Sequence, residues 1–168
     1  MKLKISIILS AVILLFSCQR DEDEIQAIDQ VLKLYMHNAD GQDLLNSKIP
    51  GSYSTPTLLD LLGEENEQAV SGYTFPKDAD TVVYMDYPAG AIRLLRDSSI
   101  SPEQKTYYSR FIIRLPKTIN NVVVNDDDTI EIEYNWTPSL FQLSKLWYNK
   151  ELKFTKIQGQ PNIVRIVK

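Results

Sequence analysis

Two glutamates in the second half of the chain have the spacing of an acid–base pair. Glu131 and Glu133 alternate with apolar residues, so on a strand both side chains point to one face, roughly 7 Å apart. That separation overlaps the range that inverting glycosidases use. Such enzymes normally hold their carboxylates on separate elements around a cleft, and ordinary water-facing glutamates show the same pattern. We therefore expect no catalytic residue here.

Other patterns of catalysis or metal binding are weaker still. His37 is the only histidine and no Gly-x-Ser-x-Gly motif is present, which disfavours a serine triad, and one histidine makes a poor zinc site. Alignment of Gly41 in the segment 38–43 with the invariant EF-hand glycine places Met36 and Ser47 at the first and last ligand positions, and neither can serve there. Asp126–Asp128 is more typical of a solvated turn than of a calcium loop. No glycine-rich phosphate loop or dinucleotide fingerprint occurs. The sequence predicts a protein that is not an enzyme, with no metal and no cofactor.

Aromatic residues give the one positive binding signal. Nine tyrosines and two tryptophans are many for a chain of 168 residues. Both types can present an apolar body with a polar tip to a sugar or a protein. The alternative is that they fill and rim the core. The predicted aromatic contact surface consists of Tyr107, Tyr108, Trp147 and Tyr148.

The start of the chain carries a targeting pattern. Two lysines precede an apolar run from Ile5 to Phe16, which is typical of a secretory signal and shorter than the ~20 residues of a membrane-spanning helix. Leu15-Phe16-Ser17-Cys18, which contains the sole cysteine, resembles a bacterial lipobox. The resemblance implies that residues 1–17 are a signal peptide and that Cys18 carries a diacylglycerol, usually with an N-acyl chain such as palmitate. The membrane is then a partner through this lipid.

The residues behind the cysteine indicate a location. The string Gln19-Arg20-Asp21-Glu22-Asp23-Glu24 resembles the surface-export signal of Bacteroidetes lipoproteins, in which a polar residue and acids follow the cysteine. The resemblance implies a lipoprotein of the outer membrane that is displayed on the cell surface, with a periplasm-facing position as the alternative. A plain acidic tether would look the same. The residues of the predicted export signal are Gln19, Asp21, Glu22, Asp23 and Glu24.

Two threonines are candidate modification sites under this resemblance. Asp80-Thr81-Val82 and Asp128-Thr129-Ile130 match the Asp-Ser/Thr-apolar sequence at which Bacteroidetes O-glycosylate exported proteins. The match implies Thr81 and Thr129 as acceptors. The alternative is a threonine that opens a strand after a turn.

Length and net charge limit the number of domains and the kinds of partner that the protein can bind. Behind a tether over 18–24, residues 25–168 are predicted to form a single domain. Loss of residues 1–17 removes two of 18 basic residues and none of 22 acids, so the net charge changes from −4 to −6. This balance argues against nucleic acid as a partner, because nucleic-acid binding needs a basic surface.

Periodicity predicts helices first and strands afterwards. Ile25, Ile28, Leu32 and Tyr35 recur every three or four residues, which predicts a helix over 21–40. Thr57–Asp60 resembles a capping box that opens a short second helix.

From Tyr73 onward the period is two, and strands are predicted over 81–87, 91–95, 104–115, 129–136 and 162–167. In Thr129–Trp136 the apolar Ile130, Ile132, Tyr134 and Trp136 share one face, which favours an antiparallel sheet with one solvated face. A hairpin is predicted over 145–157, turning at Asn149-Lys150 with Trp147 opposite Leu152. A helix over 138–149 is the alternative.

The predicted fold is α+β: an N-terminal helix and a short second helix pack on a twisted antiparallel sheet of six to eight strands. The predicted function is a non-enzymatic, lipid-anchored envelope protein that acts by protein or glycan contact. The alternatives are a small-molecule binder with an apolar pocket in a curved sheet, and a small acid-dependent hydrolase. A filled interior would favour the first, a closed apolar cavity the second, and carboxylates from two strands the third.

Overall fold

The computed structural model describes residues 25–65, 67–101 and 103–168, and this part of the chain contains eleven strands and no helix. The prediction of α+β with an N-terminal helix and a short second helix is therefore wrong. The strands are β1 (Ala27–Asp29), β2 (Leu32–His37), β3 (Thr57–Asp60), β4 (Gln68–Ala69), β5 (Met85–Tyr87), β6 (Leu94–Ser101), β7 (Gln104–Ile119), β8 (Val122–Trp136), β9 (Leu140–Tyr148), β10 (Glu151–Thr155) and β11 (Asn162–Val167).

The strands form two mixed sheets. The large sheet has the order β1-β9-β8-β7-β3-β4, with β10 also paired to β9 and β6 also paired to β7; the small sheet has the order β11-β2-β5. The pairs β1–β9 and β2–β11 are parallel, and the others are antiparallel. The expected purely antiparallel sheet is thus also wrong. Parallel pairing joins segments that are far apart in the chain, so no local sequence pattern predicts it.

Strands β1 and β2 replace the described part of the predicted N-terminal helix. Ile25 and Ile28, half of the predicted apolar stripe, are 94% and 60% exposed. Leu32, Leu34 and Met36 are fully buried and alternate with period two. Strand β2 lies between β5 and β11, so its backbone is paired on both sides. Burial and pairing of this central strand stabilise it over the helix that the spacing also allowed.

The predicted second helix is strand β3, which pairs with β7 and β4. Asp60 at its end does not close a capping box. Its Oδ1 accepts the Leu62 N–H at 2.7 Å and its Oδ2 accepts the Ile92 N–H at 2.5 Å. The carboxylate therefore joins the segment after β3 to the segment before β6.

Strands β7 and β8 form the longest ladder, from Lys105 opposite Trp136 to Ile119 opposite Val122. The ladder turns at Asn120-Asn121, both of which have positive φ. Strand β7 continues through Pro116, where a strand end was predicted, and the Pro116 carbonyl accepts the Ser54 N–H at 2.8 Å. Asp126–Asp128, predicted as a turn, lies inside β8.

The hairpin and the last strand are confirmed. Strands β9 and β10 turn at Asn149-Lys150 with Trp147 opposite Leu152. Both turn residues have positive φ, as a type I′ turn requires.

The core lies between the two sheets. Tyr87 on β5 packs on Phe111 of β7 with ring centroids 4.9 Å apart. Ile130, Ile132 and Tyr134 of β8 are fully buried in this core, whereas Trp136 is only partly buried, against the prediction that all four are buried. The opposite face of β7, β8 and β9 therefore points outward.

Candidate binding face

A lattice of charged and aromatic side chains covers the outward face of the large sheet, and we call it the platform. Tyr108, Glu133 and Lys145 lie opposite one another on β7, β8 and β9. Arg110, Glu131 and Trp147 form the neighbouring row on the same strands. The platform consists of Arg96, Tyr108, Arg110, Glu131, Glu133, Lys145 and Trp147, with Arg96 contributed by β6.

Ion pairs fix both platform carboxylates. Arg96 bridges them, since one guanidinium nitrogen bonds Glu131 and the other lies 3.3 Å from Glu133. Arg110 donates from Nε and Nη2 to Glu131 Oε2 at 2.9 and 2.6 Å. Lys145 Nζ lies 3.1 Å from Glu133 Oε1. Two acids are thus held by three cations.

This arrangement suits binding better than proton transfer. Burial acts to raise the pKa of Glu131, but hydrogen bonds from Arg96 and Arg110 outweigh it and lower that pKa below its ordinary value. An inverting pair needs one carboxyl with a raised pKa to act as acid. Glu131 and Glu133 lie on one strand and share Arg96, so the geometry does not favour the hydrolase alternative.

The structure separates the four predicted aromatic contact residues into two pairs. Tyr108 and Trp147 lie on the platform, with the Arg96 guanidinium 4.6 Å from the Tyr108 ring centroid and Lys145 Nζ 5.9 Å from that of Trp147. Tyr107 and Tyr148 point to the other face. Tyr107 packs edge-on against Phe141, and Tyr148 is buried. Neighbouring residues of a strand face opposite ways, so adjacent aromatic residues cannot share one surface.

Two open depressions lie on this face, one beside each end of the platform. The first has a volume of about 440 Å³ and is lined by Leu61, Arg110, Thr129, Glu131, Trp147 and Lys150. The second has a volume of about 490 Å³ and is lined by Thr106, Glu133, Asn135, Gln142, Ser144, Lys145, Thr155, Lys156 and Gln158. Thr129 and Asn135, one from each depression, are about 20 Å apart along β8 by strand rise.

The remaining predicted sites are scattered. Thr81 is exposed in the tight turn before β5, where its N–H bonds the Asp78 carbonyl at 3.1 Å and its φ is 66°. Thr129 lies inside the sheet between β7 and β9 and is partly buried. Cys18 and the export-signal residues Gln19 and Asp21–Glu24 lie outside the described residues.

A second charged cluster, which the sequence did not indicate, surrounds Asp128. The Asp128 carboxylate is buried and accepts hydrogen bonds from Tyr148 Oη, Lys168 Nζ and, at 2.6 Å, Asn149 Nδ2. Lys168 also lies 2.7 Å from Asp126, which accepts the Tyr53 hydroxyl at 2.9 Å. Burial, together with this bond, raises the pKa of Tyr53 to about 12. The cluster attaches the residue after β11 to the large sheet, so the prediction of a solvated turn at Asp126–Asp128 is wrong.

Within the described ranges, no group of three or more histidine, cysteine, aspartate or glutamate side chains is placed to hold a metal ion. The same part of the chain has no helix long and apolar enough to cross a membrane. No protein-family model, curated protein or solved structure matches this chain.

Proposed function

We propose that this protein is a non-enzymatic, lipid-anchored component of the bacterial envelope that acts by contact with a protein or a glycan through the platform. The observation that carries the proposal is the presentation of Tyr108 and Trp147 on the outward face of a paired sheet, inside a fixed lattice of ion pairs. Tyrosine, tryptophan and arginine are the residues that most often dominate binding energy at contact surfaces.

The lattice lowers the entropic cost of binding. An arginine or lysine that is ordered only on association loses side-chain freedom worth about 0.5–1.5 kcal/mol. Arg96, Arg110 and Lys145 are already held by the two glutamates in the free protein. Their positions are therefore set before a partner arrives.

The interior of the domain favours binding of a partner at the outer surface rather than binding of a small molecule inside the sheet. The space between the sheets is filled by large side chains with no exposed surface, including Tyr87, Phe111 and Leu115. Both depressions on the outward face are open to solvent, and neither is a closed apolar cavity. This pattern supports a partner that binds outside the sheet, which is the first of the three predicted functions.

The location belongs to the same proposal. Its support is the lipobox-like Leu15–Cys18 and the acidic string behind it. We place the protein in the outer membrane, at the cell surface or facing the periplasm.

Site-specific photo-crosslinking in cells tests the contact surface. A benzophenone amino acid replaces Trp147 or Tyr108 in the full-length protein, and the matched control replaces Val167, which is 70% exposed on β11 of the other sheet. Benzophenone inserts into C–H bonds of proteins and sugars alike. We expect adducts from the two platform positions and none from position 167. Equal labelling at all three positions, or none, would contradict the proposal.

A further inference from the structure

We propose that the platform binds an acidic oligosaccharide lying along β8, with its carboxylate beside Lys150 and neutral sugar rings over the second depression. This inference rests on the proposed function and specifies its partner.

The first depression carries a net positive charge. Arg110 and Glu131 in its wall neutralise each other through two hydrogen bonds. Lys150, also in the wall, makes no ion pair with any residue that the structure describes. Its backbone is fixed in the β9–β10 turn with a φ of 70°. The depression therefore offers one uncompensated ammonium group to an anion.

Trp147 supplies an aromatic wall beside that charge. Lys145 Nζ lies over the indole ring at 5.9 Å from its centroid, and Lys145 does not line the first depression whereas Trp147 does. The indole ring is therefore part of the wall of the first depression. The apolar C–H face of a sugar ring can stack on such a surface, while Thr129 and Arg110 offer hydrogen-bonding groups to its hydroxyls.

The geometry of the first depression disfavours a peptide. At Thr129–Glu131, β8 is paired with β7 on one side and lies against β9 on the other, so no strand edge is free for β-augmentation. An amphipathic helix needs an apolar groove, and only Leu61 and Trp147 are large apolar residues in this lining. A polar ring with an acidic group fits these walls better than either peptide mode.

The second depression explains why the ligand is longer than one ring. Its lining is rich in hydroxyl and amide groups, which match neutral sugar hydroxyls, and Thr106, Asn135 and Gln142 lie in one row across the sheet. With about 20 Å between the ends of this face, one ligand reaches both depressions only as an oligosaccharide.

Binding of paired glycans tests the inference. The purified full-length protein in detergent is applied to an array of oligosaccharides that contain uronic or sialic acids, each beside a counterpart whose carboxylates are reduced to alcohols, and the bound glycans are then titrated by calorimetry. We expect the acidic form to bind about tenfold more tightly than its neutral counterpart, which is the effect of one charge-assisted hydrogen bond.

Two lysine variants separate the site from general charge. Lys150→Asn removes the charge and keeps the turn, because asparagine tolerates positive φ. This variant should lose the preference for the acidic form and keep its affinity for the neutral one. Lys77→Asn removes the same charge from an exposed position on the loop before β5 and should change neither affinity.

Three outcomes would overturn the inference: no acidic glycan bound more tightly than its reduced counterpart, the same loss in both lysine variants, or full preference retained by Lys150→Asn. If adducts with a protein or with another glycan still form at Tyr108 and Trp147 in the crosslinking experiment, the proposed function stands and only the acidic-glycan assignment fails. If no adduct of either kind forms at these two positions, both fail.

Discussion

Two adjacent acids of β8, Asp127 and Asp128, should differ sharply in what they contribute to stability. Asp127 and Asp128 are neighbours in sequence but point to opposite faces of the strand. Asp128 is 4% exposed and holds Tyr148, Asn149 and Lys168. Asp127 lies at the surface, where it pairs with Arg114 at 2.7 Å. We predict that Asp128→Ala destabilises the protein strongly and that Asp127→Ala hardly does.

The magnitudes follow from burial. Removing one partner of a buried charge pair costs about 3–5 kcal/mol, because the remaining groups stay desolvated without a partner. In Asp128→Ala the Tyr148 hydroxyl loses its acceptor, although Lys168 keeps Asp126 at 2.7 Å. The side chain of Asp127 is 35% exposed, and exposed pairs contribute only about 0.2–1 kcal/mol. For a domain whose total stability is about 5–15 kcal/mol, the first loss is large and the second is small.

Urea unfolding measures the difference directly. With a denaturant slope of about 2 kcal/mol per molar urea, Asp128→Ala should lower the unfolding midpoint by about 2 M and Asp127→Ala by less than about 0.5 M. Asp128→Asn keeps the shape and removes the charge, so it separates the ionic part from packing. Equal midpoints for the two alanine variants would refute the reasoning. A reversed order would do so as well, because a register shift of one residue exchanges the two faces of a strand.

Further predictions address the core, the platform and the anchor. Ile132→Ala should lower the free energy of unfolding by about 2–5 kcal/mol. Trp136 is only partly buried, so Trp136→Ala should lower it by less than truncation of a fully buried tryptophan would. Thermal unfolding of the two variants measures both losses. Burial acts to raise the pKa of Glu131, but hydrogen bonding outweighs it and lowers that pKa. The stability that ionised Glu131 contributes is therefore complete above its ordinary pKa of about 4.5 and is lost as the pH falls through the lowered value. Glu131→Gln should accordingly flatten the acid side of the plot of unfolding free energy against pH. Cys18→Ser should abolish acylation, and mass spectrometry showing an unmodified cysteine in the native protein would contradict the anchor. Alanine at Asp21–Glu24 should reduce protease accessibility on intact cells while changing stability by less than about 0.5 kcal/mol; unchanged accessibility would refute the export role.

The parts of the fold that could be predicted are those whose cause is local. The β9–β10 hairpin was recognised because Asn149-Lys150 can adopt positive φ between two runs of alternating residues. The alternation in Thr129–Trp136 gave the right faces for Ile130 and Ile132, because a strand has period two whatever it packs against. These features depend on a few neighbouring residues.

The N-terminal region could not be settled in that way. The apolar residues from Ile25 to Met36 fit both a helical stripe and, at Leu32, Leu34 and Met36, an alternating strand. The deciding contact is the parallel pairing of β2 with β11, which begins about 130 residues further along the chain. Because this partner strand is so distant in the sequence, the segment itself contains no pattern that predicts which of the two structures forms.

The binding face shows the same division. Sequence alone determined that Glu131 and Glu133 share a face, and it offered Tyr108 and Trp147 among the aromatic candidates. Only the tertiary structure decided that Arg96 joins those glutamates and that Tyr107 and Tyr148 turn inward. It also placed Lys168 against Asp128, which made a buried ionic cluster of what looked like a solvated turn. Local alternation fixes which way a side chain points, whereas its charge partners and its burial depend on strand order, which pairs segments that are remote in sequence.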